Sequence, residues 1–257
     1  MTDVLVADIG GTHARFALAG NAGIRAERVF KVADFAGPGD AVTAYLKDIG
    51  EKPRVAAFAM AGPVTGDDRF ELTNFNWSFS IQETRKSLGL DRLLLINDFT
   101  ALAIGVLEAD PAHVHTLGGG TKKPNGNMAI IGPGTGLGVA SLIWDAKDKR
   151  YVPLQCEGGH VTLPVKNPRE FAIQQWLLKN KYSHVSAERV CSGKGLLNLY
   201  DAIRALDNLS LPDLEPQEIT TKALKGECTA CEECLTLLFA FLGRIAGNLA
   251  LTTMATG

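Results

Sequence analysis

The chain has 257 residues, 46% of them hydrophobic, and its 26 basic and 28 acidic residues leave a formal charge of -2. That balance gives no electrostatic footprint for nucleic acid or for an anionic membrane, so small ligands are the expected partners. The length allows one large core or two modest ones, and with two cores a two-lobed enzyme.

Met1-Thr2-Asp3-Val4 leads straight into a strand-like segment, with no basic n-region, apolar h-region or small-residue cleavage site, and a cytoplasmic location is expected. Val4 to Ala7 reads as a buried strand, Gly10-Gly11-Thr12 as a turn, and Arg15 to Leu18 as the returning strand of a β-hairpin. Arg25 to Val32 supplies a third strand, Asp40 to Leu46 a short helix, and Val55 to Ala61 a strand that Pro63 interrupts. Ser80 to Glu83 has capping-box spacing and opens a helix that Gly89 can close. The continuous apolar run Leu93 to Ile96 suits a strand covered on both faces. It stops at Asn97-Asp98, ahead of a helical stretch from Ala101 to Leu107.

Past Pro111 the pattern restarts: Met128 to Ile131 is a strand, Gly132 to Gly138 a glycine-rich turn and Val139 to Ile143 a second strand. The hairpin with glycines therefore occurs twice. From about Pro168 the periodicity is mainly helical, with Phe171 to Leu178, Lys194 to Leu206 and Glu227 to Thr253 as the candidates. Leu235 to Gly257 could mimic a membrane span, but Arg244 and Asn248 sit in its middle, and a core helix is the better reading. Five cysteines, an odd number, argue for reduced thiols. Cys228, Cys231 and Cys234 have metal-ligand spacing, yet on a helix they spread around its circumference and no fourth ligand is near, so no zinc site is expected.

Two glycines at a tight turn let backbone N–H groups approach an anion, and Thr12 adds a hydroxyl donor; a plain hairpin with Asp8 satisfying the turn amides reads equally well there. The stretch Gly132-Pro133-Gly134-Thr135-Gly136-Leu137-Gly138 fails the dinucleotide register and lacks the Lys of a Walker loop. Two such turns favour two jaws on one polyphosphate over a merely flexible loop. Asn97-Asp98, at a strand's carboxyl end, can orient a hydroxyl and accept its proton, or Asp98 can simply be a helix N-cap. Glu157-Gly158-Gly159-His160 reads as a loop whose Glu and His suit neighbouring hydroxyls of a polyol better than a metal. Glu188, beside Arg189, reads locally as an exposed charge at a helix start.

In order, Asp8 to Thr12 with Arg15, Leu72-Thr73-Asn74 with Trp77, Ile96 to Phe99, Gly132 to Gly138, Glu157 to His160, and Ser186 to Val190 with Ser192-Gly193 span nearly the whole chain. This set resembles the bacterial glucokinase family of the hexokinase and actin-like ATPase superfamily. The resemblance implies an α/β, two-lobed actin-like fold with ribonuclease-H-like sheets, a small lobe at 1–108, a large lobe at 109–257, and a cleft between them. It implies ATP-dependent phosphorylation of glucose at the 6-hydroxyl, with Asp98 as catalytic base and Asn74, Asn97, Asp98, Glu157, His160 and Glu188 binding the sugar. Asp8, Ile9, Gly10, Gly11, Thr12, Gly132, Gly134, Thr135 and Gly136 would hold ATP, with Asp8 orienting Mg2+ through water. A homodimer is implied as well. Val161-Thr162-Leu163-Pro164 stands where the related repressor and sugar-kinase family carries a cysteine-rich zinc site, which argues against that branch. The family's adenosine-contacting segment and returning helix are expected beyond Gly257, so the carboxyl-terminal part looks missing. Mannose or an N-acetylated hexosamine as the substrate, or a non-catalytic ATP-binding module, are the competing readings.

Overall fold

In the computed structural model, which describes residues 3–73, 75–118, 120 and 123–256, β1 (Val4–Ile9) and β2 (His13–Gly20) form the expected antiparallel hairpin. Leu5, Ala7 and Ile9 alternate into the core, as the period of two requires. The outer strand β3 (Gly23–Lys31) pairs with β2 and is mostly exposed. On the other side β4 (Val55–Met60) and β7 (Arg92–Asn97) run parallel to β1, giving the order β3-β2-β1-β4-β7. Helix α1 (Pro38–Ile49) precedes β4, and the two-stranded ribbon β5 (Arg69–Glu71) and β6 (Ser78–Ser80) leads into α2 (Ile81–Ser87). Ser80 caps α2 by accepting from the Glu83 N–H at 3.1 Å. The ribbon has strands too short to carry a readable period, so it is absent from the sequence reading.

Helix α3 spans Asp98–Gly105, three residues earlier than the apolar period indicates. Asn97, not Asp98, is its N-cap, with the Asn97 side chain accepting from the Thr100 N–H at 3.0 Å. Leu5, Phe16, Tyr45, Phe58 and Met60, all fully or almost fully buried, form the core of this first unit, Met1–Ala112.

The second unit, His113–Gly257, starts from β8 (Met128–Pro133), β9 (Leu137–Asp145) and β10 (Arg150–Gln155), a three-stranded antiparallel sheet of order β10-β9-β8. The glycine-rich stretch is shorter as a turn than expected: Gly132 pairs with Gly138 and Pro133 with Leu137, leaving Gly134 to Gly136 outside the strands. β10 escaped the sequence reading because it is a mostly exposed edge strand that carries Pro153 in its middle. Four helices follow: α4 (Pro168–Asn180), α5 (Gly193–Leu206), α6 (Pro216–Leu224) and α7 (Thr229–Thr253). α7 is long and apolar enough to cross a membrane by length and composition, and it sets Cys231, Cys234, Leu237, Leu238, Phe241 and Ile245 into the unit's core. Its Arg244 makes two bonds of 2.9 Å to Glu170 of α4, a carboxylate only 2% exposed. Burial alone would raise the Glu170 carboxyl, but Arg244 and the Lys166 N–H outweigh it and hold the group below its ordinary range.

Candidate functional site

In the first unit, strand register brings the candidate residues to one edge. Ile9 is opposite Met60, and Met60 is opposite Asn97, so the chain leaves β1, β4 and β7 side by side at their carboxyl ends, where open α/β sheets bind ligands. From β1 the chain enters the Gly10-Gly11-Thr12 turn. Gly10 N–H donates to His13 C=O at 3.0 Å and Val32 N–H to Thr12 C=O at 3.0 Å. Among the described residues the N–H groups of Gly11 and Thr12 and the Thr12 hydroxyl have no such partner, and they form a nest suited to an anion. Ile9 is fully buried and its carbonyl accepts from Ala61 N–H, so it anchors the turn and turns its side chain away from solvent.

Asp8 points out beside this turn, its Oδ2 2.8 Å from Arg15 Nη1, with both side chains more than half exposed. At the end of β7, Asn97 donates through Nδ2 to Gly62 C=O at 3.2 Å and to Asp98 Oδ1 at 3.0 Å, while Phe99 N–H donates to the same oxygen at 2.7 Å. Both of these bonds fall on Oδ1, and among the described residues no other residue donates to Asp98 Oδ2, which remains open for a substrate proton. Burial pushes the Asp98 carboxyl above its ordinary range, and the negative charge of Asp8 adds to that rise. A carboxylate so placed is a stronger base than a solvated one. Asn74, an expected sugar residue, lies outside the described residues.

In the second unit the residues are set by close packing. Glu157 leads into a 3-10 turn, Gly158–His160, where the paired glycines indicated a loop. The reason is contact with β9: a Cβ on Gly159 would lie 2.1 Å from Leu137 O, and one on Gly158 2.7 Å from a Val139 methyl. His160 Nε2 stands 3.9 Å from Glu157 Oε2, beyond hydrogen-bond reach, and both side chains are more than half exposed with their polar atoms available to hydroxyls.

Glu188 is where tertiary structure supplies what local chemistry did not. Its Oε2 accepts from Leu137 N–H at 3.0 Å, directly behind the glycine turn, and a Cβ on Gly136 would come within 2.3 Å of that oxygen. Arg189 does not pair with it; the guanidinium lies 4.4 Å over the Tyr182 ring. Gly193 N–H donates to Gly134 C=O and Gly134 N–H to Gly136 C=O, at 3.0 and 2.8 Å. Among the described residues the N–H groups of the exposed Thr135 and the adjoining Gly136 have no partner, and they form a second nest. Gly132 belongs to the β8 ladder and shapes the hairpin. Antiparallel pairing of 161–163 with 185–187 ties the Glu157–His160 turn to the Glu188 segment.

Each unit thus carries a glycine hairpin that ends in an anion nest, and the fold around these hairpins is that of solved sugar kinases. The family model described as Glucokinase matches residues 5–257. The glucokinase of Paramagnetospirillum magneticum is 47% identical over 257 residues, covering 99% of this chain and 79% of that protein. A crystal structure of a glucokinase from an Antarctic psychrotroph superposes with a TM-score of 0.86 at 35% identity, covering 100% of this chain and 81% of that one. A ROK family glucokinase from Streptomyces griseus, solved with glucose and AMPPNP, shares the fold at 17% identity and TM-score 0.62, covering 98% of this chain and 80% of that one. The chain belongs to the glucokinase family, and with it to the enzymes that phosphorylate glucose.

Proposed function

We propose that the chain transfers the γ-phosphoryl group of ATP to the 6-hydroxyl of glucose, in the cytoplasm and as a homodimer, with Asp98 as the catalytic base. The observation that carries this is the state of the Asp98 carboxylate: relieved of capping by Asn97, oriented by the Phe99 N–H and Asn97, and raised in basicity by burial and by Asp8. Asp98 takes the hydroxyl proton as the sugar oxygen bonds to the γ-phosphorus and the bond to the ADP oxygen breaks. Glu157, His160 and Glu188 hold the other hydroxyls, Asn97 keeps Asp98 aligned, and Asn74 joins the sugar set by family resemblance. The free N–H groups of Gly11, Thr12, Thr135 and Gly136 hold phosphate oxygens, with Gly10 and Gly134 letting the backbone come close. The glucose and AMPPNP bound by the Streptomyces griseus protein fit this assignment.

Mg2+ enters with ATP. Among the described residues no three His, Cys, Asp or Glu groups cluster as a cage, which suits an ion that keeps its waters and rests on phosphates and one carboxylate. Asp8, exposed beside the first turn, would be that carboxylate and would hold the ion through its water. When bound, the ion neutralises charge on the β- and γ-phosphates.

The test is Asp98→Asn, which keeps shape and removes the proton acceptor. Turnover should fall by about 10²–10⁴-fold, while glucose affinity by calorimetry stays within about tenfold. A near-normal kcat in this variant would refute the assignment. Titrating mannose and N-acetylated hexosamines alongside glucose fixes the substrate, and sedimentation checks the dimer.

A further inference from the structure

We propose that Cys228 and Cys231 form a reversible thiol–disulfide exchange site at the start of α7, whose substrate is a small-molecule disulfide of the glutathione type. The two thiols stand in C-x-x-C spacing, Cys228 as N-cap of a 25-residue helix and Cys231 three residues on. Their sulfurs are 2.6 Å apart, only about half an ångström beyond a bonded S–S length. Closing the bond therefore asks for a small sulfur displacement and no refolding.

The two cysteines differ in a way that divides the chemistry between them. Cys228 is partly exposed, and its sulfur accepts from the Cys231 N–H at 3.3 Å, so it is held at the helix start where an outside disulfide can reach it. Cys231 is fully buried, and burial pushes its thiol up to about 12. Cys228 is thus the attacking sulfur and Cys231 the resolving one. Cys234, also buried and with its thiol pushed up by burial, makes no bond to either sulfur. Neither Cys228 nor Cys231 is hydrogen-bonded to a proposed sugar or phosphate residue, so the site stands apart from the kinase machinery.

The exchange balances without a further reactant. The Cys228 thiolate attacks one sulfur of the small disulfide, forming a mixed disulfide and expelling the other half as a thiolate. Cys231 loses its proton to that thiolate and attacks the Cys228 sulfur, and the second half leaves. Two protein thiols are oxidised and one small disulfide is reduced to two thiols.

The experiment incubates the full chain with oxidised glutathione, blocks remaining thiols with iodoacetamide, and reads the tryptic peptide Gly226 to Arg244, which holds all three clustered cysteines. The expected product is one internal Cys228–Cys231 disulfide, about two mass units lighter than the dithiol before blocking, with Cys234 alkylated and full reversal by excess dithiothreitol. Cys231→Ala should stop at a glutathione adduct on Cys228. Cys228→Ser, which retains an N-cap oxygen, should leave Cys231 reduced. Full alkylation of both thiols in the wild-type chain, a disulfide that includes Cys234, or a stable adduct on Cys228 while Cys231 is present would each overturn the proposal.

Discussion

The first unit sets its candidate residues through strand register, whereas the second sets them through contacts too close for a side chain. Ile9, Met60 and Asn97 align across three parallel strands, and the Gly10 turn and Asp98 follow from that alignment. A Cβ added to Gly10 would meet nothing nearer than His13 O at 3.8 Å. In the second unit, Gly136, Gly158 and Gly159 each press against another segment at 2.7 Å or less from where a Cβ would stand. The same kind of anion nest is thus built once from sheet topology and once from packing. One should be sensitive to chemistry, the other to volume.

The largest expected effect comes from adding that volume. Gly159→Ala should destabilise the protein by about 3 kcal/mol or more, because the methyl meets the backbone oxygen of Leu137, which cannot swing away. Urea unfolding measures it, and an unchanged midpoint would break the contrast. Next are the two turn glycines. Gly134→Ala meets nothing within 4 Å, so stability should hold within about 0.5 kcal/mol while KM for ATP rises about tenfold, from loss of close backbone approach. Gly136→Ala meets only the flexible end of Glu188, yet it displaces that carboxylate from the Leu137 N–H. It should therefore raise KM for glucose and for ATP together and cost about 1 kcal/mol. Steady-state kinetics on the pair separates these outcomes.

In the first unit a change of charge is the sharper probe. The base must be ionised, so kcat/KM falls as pH drops through the Asp98 pKa, which burial and then Asp8 hold above the ordinary range. Asp8→Asn removes the like charge, and the acid limb of the remaining activity should move to lower pH by less than about one unit. A limb that stays in place or moves up would show that Asp8 does not act on Asp98. The smallest effect belongs to Arg15→Ala. This exposed partner of Asp8 should contribute no more than about 0.5 kcal/mol to stability by thermal unfolding.

Much of this was legible in the order of residues, and the failures share a cause. The β1–β2 and β8–β9 hairpins, the apolar run of β7 and the helical period of α7 are local patterns, and each element is found where its period lies. The short ribbon β5–β6, the edge strand β10 and the short helix α6 were missed because each is three to nine residues long or mostly exposed and carries little buried period. Locally Asp98 reads either as a base or as a helix cap, and it is Asn97 that holds the cap position.

What sequence alone determined is the alternation that makes the strands, the glycines that make the turns, and the family to which six ordered motifs point. Tertiary structure decided which donors remain free. Gly134 N–H is closed off by Gly136 and Leu137 N–H by Glu188, a residue 51 positions away, and these bonds leave Thr135 and Gly136 as the donors of the second turn. It also decided the basicity of Asp98, because burial and the charge of Asp8 act through space, across three strands whose pairing no local pattern encodes.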